Sequence, residues 1–230
     1  DGLAAGKGVI IAKNKNEAVE TIKNIMSKRI FGASGENIII EEFLEGEEIS
    51  FFALVDANGF ILPLTTAQDH KKIGEGDTGL NTGGMGAYSP VPFIKQNQIS
   101  DFVIKFVKPV IDDLKHNNIF FSGVFYAGLI LTKYGPKLLE INVRFGDPEV
   151  QAVLPRLKAD LLDLLLACSK GRLDQFRSIE WDTNFCINVV MASKGYPKSY
   201  EKNTIINGLN KITVDKSQYI FHSSTKKNED

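Results

Sequence analysis

Cysteine is scarce in this sequence, with 2 residues in 230. Cys168 lies in a leucine-rich stretch and Cys186 in a strand-like one, so their spacing matches neither a zinc motif nor a disulfide framework. Both are predicted to be small core residues of a protein in a reducing compartment. A cytoplasmic location is therefore expected.

Long apolar runs and an excess of either charge are also missing. No stretch approaches the roughly 20 consecutive apolar residues of a transmembrane helix, and no signal peptide heads the chain. The 27 basic and 28 acidic residues leave a net charge of −1. This balance gives no electrostatic reason to expect nucleic acid or a membrane as partner.

The chain has no initial methionine, and its first residues, DGLAAGKGV, already form a glycine-rich loop. We therefore expect a piece of a longer protein, truncated at its N-terminus. The piece is still large enough to bury a sizeable core, since 43% of its 230 residues are hydrophobic.

Hydrophobic spacing predicts strands that pair as hairpins, with helices between them. Strands are expected at residues 9–12, 37–42, 48–55, 60–66, 120–132, 137–143, 185–192 and 218–222. Helices are expected at residues 18–26, 99–114 (kinked at Pro109) and 158–170. Residues 67–92 are predicted to be a loop. This order of elements favours an α+β fold over a regular parallel βαβ sheet.

The opening loop could bind phosphate, but it is not a Walker A loop. Only three residues separate Gly2 from Gly6, Gly8 replaces the Mg²⁺-binding hydroxyl, and a predicted strand follows instead of a helix. A glycine-rich hairpin tip can still turn N–H groups toward an anion, with Lys7 adding positive charge. A plain turn with a solvated lysine is the alternative.

A second candidate is the stretch IIIEEFLEGEEIS, residues 38–50. It is similar to a nucleotide hinge, in which the backbone of residues 42–44 pairs with the adenine edge and Glu48 binds the ribose hydroxyls. The alternative is a solvated acidic turn between two strands.

The third candidate is LLEINVRFGDPE, residues 138–149. At the period of two of a strand, Glu140, Asn142 and Arg144 share one face. The side-chain oxygens of Glu140 and Asn142 suit Mg²⁺, and the guanidinium of Arg144 suits phosphate. The residues expected to point into the core are Leu139, Ile141 and Val143. Polar alternation on any half-buried strand is the competing explanation.

The fourth candidate is AQDHKKIGEGDTGLNTGGMGAYSP, residues 67–90. It joins a polar cluster, residues 69–72, to a glycine-rich loop that Tyr88, Pro90 and Pro92 would anchor. A loop of this length in a compact domain is usually functional or disordered.

Read together, these stretches resemble the ATP-grasp ligases. The matching segments are DGLAAGKGV, EEFLEGEE, QDHK with DTGLNTGGMGAYSP, and EINVRFGDPE, and WDTNFCINVVMASKGYP extends the likeness to about residue 197. The two motifs NTGGMGAYSP and RFGDPE resemble those of the family members that join glycine to 5-phosphoribosylamine.

The resemblance implies an ATP-grasp fold, with antiparallel-rich sheets, packed helices and a nucleotide between lid and core subdomains. The implied divisions are a lid at residues 1–43, a catalytic core at 44–183 and the incomplete start of a C-terminal domain at 184–230. The implied cofactors are ATP and Mg²⁺ or Mn²⁺, and the implied substrates are glycine and 5-phosphoribosylamine, joined through a glycyl phosphate.

The resemblance also assigns roles to residues. The ATP-binding set would be Gly2, Leu3, Ala4, Ala5, Gly6, Lys7, Gly8, Glu41, Glu42, Phe43, Leu44 and Glu48. The metal ligands would be Glu140 and Asn142, and the catalytic residues Arg144 and Asp77. The substrate-binding set would be Asp77, Gly83, Gly84, Met85, Gly86, Arg144 and Asp147.

The chain departs from the family pattern at its ends. The phosphate-binding lysine that the family carries just upstream of the opening loop is absent, as is the N-terminal domain, so the chain alone is expected to be inactive. No acid lies in residues 121–131, where related enzymes often place a further metal ligand. Two alternatives stay open: another ATP-grasp carboxylate–amine ligase, and a non-catalytic nucleotide-binding remnant.

Overall fold

A computed structural model of the protein describes residues 8–212 and 217–227. Its strands are β1 (Glu47–Val55), β2 (Ile61–Asp69), β3 (Lys72–Gly74), β4 (Thr78–Asn81), β5 (Gly86–Ser89), β6 (Gly123–Thr132), β7 (Gly135–Asn142) and β8 (Cys186–Val189). Its α-helices are α1 (Lys15–Ile22), α2 (Gln96–Phe102), α3 (Lys108–His116), α4 (Val150–Val153) and α5 (Leu161–Ser169).

The described strands form a six-stranded sheet in the order β7-β6-β1-β2-β5-β8 and a separate β3-β4 hairpin. Every neighbouring pair is antiparallel. The α+β class expected from the sequence is therefore confirmed. The strand β8 pairs with β5, so the predicted start of a C-terminal domain contributes to this same sheet.

The neighbouring strands β1 and β6 are apolar because both faces of the sheet are covered here. On one face, alternate residues of β1 and β6 pack against α2, α3 and the turn between them; this core includes Phe51, Phe102, Phe106, Ile111 and Phe125. On the other face the intervening residues pack against α5; this core includes Phe52, Leu54, Tyr126, Leu164 and Cys168. Each such fully buried side chain contributes roughly 1.5–3 kcal/mol.

The predicted helix over residues 99–114 is present, with an irregularity at the predicted kink. A π-helical segment, Val103–Val107, separates α2 from α3, and Pro109 follows it in the first turn of α3. Proline has no N–H to donate to the preceding turn and its ring crowds that turn, so the wider π turn accommodates it.

Several strand predictions are wrong. Residues 9–12, 37–42 and 218–222 form no strand, and the predicted loop at 67–92 contains the end of β2 and all of β3, β4 and β5. Ile39 and Ile40 are 87% and 80% exposed. An apolar β-branched run forms a strand only when a neighbouring strand pairs with it, and no described segment pairs with these runs.

The expected core residues of β7 are also exposed. Leu139 and Ile141 are about two-fifths exposed and Val143 is 70% exposed. The strand β7 lies at the edge of the sheet, and its register with β6 shifts at Gly128/Leu129. The prediction that these three side chains point into the core is therefore wrong.

None of the described helices is both long enough and apolar enough to cross a bilayer. The boundaries proposed at residues 43 and 183 stay predictions.

Candidate active site

The predicted nucleotide loop falls mostly outside the described residues. Positions Gly2, Leu3, Ala4, Ala5, Gly6 and Lys7 are not described, and Gly8 is exposed. The predicted hinge, residues 41–44, belongs to no described strand, and Phe43 is 67% exposed. Glu42 forms an ion pair with Lys137 of β7, which holds the hinge segment beside the edge of the sheet.

The sheet register brings the predicted metal ligands over one face. Gly128 of β6 lies opposite both Ser50 of β1 and Glu140 of β7, and Tyr126 lies opposite Asn142. Directly opposed residues of antiparallel strands project to the same side. Glu140 and Asn142 therefore share a face with Ser50 and Tyr126.

This pair of oxygen ligands fits a divalent cation that is held partly by other groups. A Cβ at Gly128 would stand 3.0 Å from Cγ of Glu140, so the glycine gives the carboxylate its room. Within the described ranges no three His, Cys, Asp or Glu side chains form a metal cluster. Mg²⁺ is commonly bound by one or two carboxylates plus water and substrate phosphates, which agrees with so sparse a ligand set.

A buried carboxylate adjoins the same face. Glu149 is 3% exposed, and its Oε1 accepts a hydrogen bond of 2.8 Å from the Ser50 hydroxyl. The Tyr126 hydroxyl lies 3.0 Å from the same Ser50 oxygen, and burial followed by the charge of Glu149 raises the pKa of Tyr126. Sequence reasoning missed Ser50 and Tyr126 because each is a lone polar residue between apolar neighbours and belongs to no recognised motif.

The QDHK segment supplies a second set of charges. Lys71 lies 3.4 Å from Oε2 of Glu48, the predicted ribose ligand. Burial lowers the pKa of Lys71, but the charges of Asp69, Glu48 and Glu140 outweigh it and leave that pKa raised. Lys71 is therefore a cation among carboxylates that belong to both the predicted nucleotide site and the predicted metal site.

The two sequence motifs that carried the finer resemblance are in contact. Gly84 has a φ of +127°, and a Cβ there would lie 2.3 Å from Cδ of Pro148. The turn of residues 83–86, called here the glycine turn, therefore packs directly against the turn of residues 147–149. Only a residue without a side chain permits this approach.

Three N–H groups of the glycine turn are used within the protein. Gly83 donates to the Tyr196 hydroxyl at 2.9 Å, Gly84 to the Thr82 hydroxyl at 3.0 Å and Met85 to the His70 carbonyl at 2.7 Å. Among the described residues, none donates to the carbonyl oxygens of Gly83 or Gly84. The turn thus offers acceptors rather than donors, which suits an amino group.

The remaining predicted residues lie on exposed loops. Arg144 donates to the Phe145 carbonyl at 2.8 Å, and Asp147 accepts from the Gln151 amide at 2.7 Å. Asp77, with a φ of +58°, lies at the exposed tip of the β3-β4 hairpin. Within the described structure its side chain makes no hydrogen bond or ion pair with the glycine turn, so its catalytic role stays a prediction.

Asp69 should make stability depend on pH. Burial, together with the charges of Glu149 and Glu48, outweighs the charge of Lys71. The pKa of the Asp69 carboxyl is therefore raised from 3.8 to about 6. The folded protein therefore holds this proton more tightly than the unfolded chain, and the free energy of unfolding due to this group falls as pH rises between those values. Asp69→Asn cannot titrate, so its stability relative to the unmodified protein should rise by about 2 kcal/mol from pH 4 to pH 7.

Urea unfolding of both proteins at several pH values, with a chelator present, measures this difference. A difference that is constant over the range, or that shrinks as pH rises, would contradict the raised pKa. Asp101→Asn, which removes an exposed carboxylate of α2, serves as a control outside this cluster.

Comparison with protein families and curated proteins identifies the family of the chain. The family model described as phosphoribosylglycinamide synthetase, ATP-grasp (A) domain, matches residues 1–150, and the C domain of the same family matches 186–230. The phosphoribosylamine–glycine ligase of Vigna unguiculata is 48% identical over 98% of this chain and 73% of its own length. The ligase of Halalkalibacterium halodurans is 45% identical over 100% of this chain and 52% of its own.

Solved structures show the same fold. The crystal structure of phosphoribosylamine–glycine ligase from Thermotoga maritima matches with a TM-score of 0.77 and 33% identity, over 87% of this chain and 50% of that one. The biotin carboxylase domain of Hydrogenobacter thermophilus 2-oxoglutarate carboxylase, in complex with MgADP, matches with a TM-score of 0.58 and 16% identity, over 80% and 38%. The second match concerns the fold alone. The expected ATP-grasp fold is confirmed, and the chain spans about half the length of the curated relatives it matches.

Proposed function

Because the chain belongs to the phosphoribosylglycinamide synthetase family, we propose that the protein carrying it joins glycine to 5-phosphoribosylamine in purine biosynthesis. ATP would be consumed, and the products would be glycinamide ribonucleotide, ADP and phosphate. The single observation that carries this proposal is the contact between Gly84 and Pro148. It joins the two motifs that resemble this activity into one surface beside Glu140 and Asn142.

The proposed reaction has two steps. An oxygen of the glycine carboxylate attacks the γ-phosphorus of ATP, the bond to ADP breaks, and glycyl phosphate forms. The amine of phosphoribosylamine then attacks the glycyl carbonyl carbon, phosphate leaves and the amine loses a proton. Neither step needs a covalent link to the protein, so its contribution is orientation and charge neutralisation.

The residues divide between the two ends of this reaction. The opening loop, residues 41–44 and Glu48 would bind ATP. Glu140 and Asn142 would hold Mg²⁺ or Mn²⁺, which supplies neutralisation of the phosphate charges when bound. Arg144 would neutralise the transferring phosphoryl group.

The substrate end would be formed by Asp77, Asp147 and the glycine turn. Glycine and phosphoribosylamine both carry an amino group, and the carbonyl oxygens of Gly83 and Gly84 are acceptors without a donor among the described residues. An amino group could therefore donate to this turn, which supports a substrate that carries an amino group.

Two other functions stay as alternatives: an ATP-grasp ligase for a different carboxylate, and a nucleotide-binding remnant without activity. The family match over residues 1–150 favours the proposed reaction over the first. The presence of Glu140, Asn142 and Arg144 together favours an active enzyme over the second. The cytoplasmic location stays a prediction, since one relative is named as chloroplastic.

The test is product formation by the full-length protein. We expect ADP release only with glycine and phosphoribosylamine together, and glycinamide ribonucleotide as product. ADP release with a different carboxylic acid, in a panel that includes alanine, serine and bicarbonate, would favour the first alternative. Nucleotide binding without turnover would favour the second.

Glu140→Gln tests the metal assignment in the same assay. It removes a charged ligand but keeps the size of the side chain, so the Mg²⁺ concentration for half-maximal rate should rise by about 10-fold or more. Glu180→Gln is the matched control, because Glu180 is an exposed carboxylate paired with Lys158 outside the site. An unchanged Mg²⁺ requirement in Glu140→Gln would refute the assignment.

A further inference from the structure

The segment that begins with β8 contacts both turns of the proposed site. The strand β8 pairs with β5 from Gly86 onward, and the Val190 N–H donates to the Met85 carbonyl at 3.0 Å. The Asn188 side-chain amide donates to the Pro148 carbonyl at 3.2 Å. One stretch of chain thus fixes the glycine turn and the turn of residues 147–149 relative to each other.

Tyr196 extends this stretch to the tip of the glycine turn. Its hydroxyl accepts from the Gly83 N–H at 2.9 Å, across 113 residues of sequence. A Cβ at Gly83 would come within 3.3 Å of the same oxygen, so the contact is close. The bond uses the donor that would otherwise be free at the tip of the turn.

The Tyr196 side chain is held in place by its own turn. Gly195 has a φ of +101°, and a Cβ there would lie 2.4 Å from the Ser199 carbonyl oxygen, so this tight turn requires glycine. The Lys198 N–H closes the turn on the Gly195 carbonyl at 3.1 Å. The ring of Tyr196 packs edge-to-face on Tyr200, with centroids 6.0 Å apart.

We propose that Tyr196 is a positioning residue for the amino-acid substrate. Its hydroxyl fixes the Gly83 N–H and thereby directs the Gly83 and Gly84 carbonyl oxygens toward the substrate amino group. The inference rests on the proposed function and deepens it, because it assigns a residue of the family's C domain region, 186–230, to the substrate site of the ATP-grasp domain. Tyr196 touches no reacting atom, so it acts through the turn.

Tyr196→Phe in the full-length protein tests this role, with Tyr200→Phe as the matched control. Both variants keep the aromatic pair, but of these two tyrosines only Tyr196 has a hydroxyl that is hydrogen-bonded within the described residues. Loss of one hydrogen bond to a turn is expected to raise the KM for glycine by about 3- to 10-fold in Tyr196→Phe, with kcat and the KM for ATP within about twofold. Tyr200→Phe should leave all three unchanged.

Amide hydrogen exchange separates this inference from the proposed reaction. Exchange at Gly83 should speed up in Tyr196→Phe and not in Tyr200→Phe, whatever substrate the enzyme uses. An inactive unmodified protein would refute the proposed reaction, whereas equal exchange at Gly83 in both variants would refute the role of Tyr196. A fall in kcat together with rises in every KM and a lower melting temperature would assign Tyr196 a structural role and also overturn the inference.

Discussion

Arg144→Ala is expected to lower the kcat of the full-length protein by about 10²- to 10³-fold, the loss typical when one donor to a developing charge is removed. Stability should barely change, because the exposed guanidinium donates only to the Phe145 carbonyl of its own loop within the described structure. The effect should fall on kcat more than on the KM for ATP, since the proposed charge develops during phosphoryl transfer.

Two variants sharpen this test. Arg144→Lys keeps the charge but loses the planar pair of donors, so an intermediate loss is expected. Arg177→Ala removes an exposed arginine outside the proposed site and should leave kcat unchanged. Steady-state kinetics with ADP release as the signal measures all three. A kcat within about threefold of the unmodified protein in Arg144→Ala would refute the assignment.

The largest loss of stability is expected from Arg156→Ala, about 3–5 kcal/mol from the lost hydrogen bonds and the cavity. Arg156 is 6% exposed, and its guanidinium donates to the Ser89 hydroxyl and to the Asp182 and Asn184 carbonyls, each at 2.9 Å. It also lies over the Trp181 ring, 5.9 Å from the centroid. Truncation leaves these acceptors without a donor and opens a cavity between β5 and the segment that leads into β8.

Thermal unfolding of the intact protein measures this loss. The melting temperature of Arg156→Lys should lie between those of the unmodified protein and Arg156→Ala, because one ammonium group cannot reach all the acceptors to which the guanidinium donates. Arg172→Ala is the control, since Arg172 is exposed and surface substitutions usually change stability by less than about 0.5 kcal/mol. A melting temperature of Arg156→Ala equal to that of Arg172→Ala would show that the buried network contributes little.

The parts of the fold that the sequence predicts are those with strong local patterns. The β1-β2 hairpin follows from apolar runs around an Asp-Ala-Asn-Gly turn, and Asp56 closes that turn by accepting from the Asn58 and Phe60 N–H groups. The helical region of residues 96–116 follows from its apolar periodicity. The candidate ligands Glu140 and Asn142 follow from a period of two on β7.

What the sequence does not predict depends on contacts between distant residues. The Ser50 bond to Glu149 requires the register of β1 and the turn after β7, which are 99 residues apart. The Tyr196 bond to Gly83 requires β8 to pair with β5. Ile39, Leu139 and Val143 are exposed because their segments lie at the edge of the sheet or outside it. The local hydrophobic pattern does not show which segments will have neighbouring strands.

The contact between Gly84 and Pro148 has a consequence for changing the substrate range of such an enzyme. With 2.3 Å between the Pro148 ring and the place of a Cβ on Gly84, neither position can gain volume alone. The two positions are therefore coupled, and natural variants should change at both of them or at neither. A pocket enlarged for a bulkier amino acid would have to be engineered as a paired substitution across the two loops.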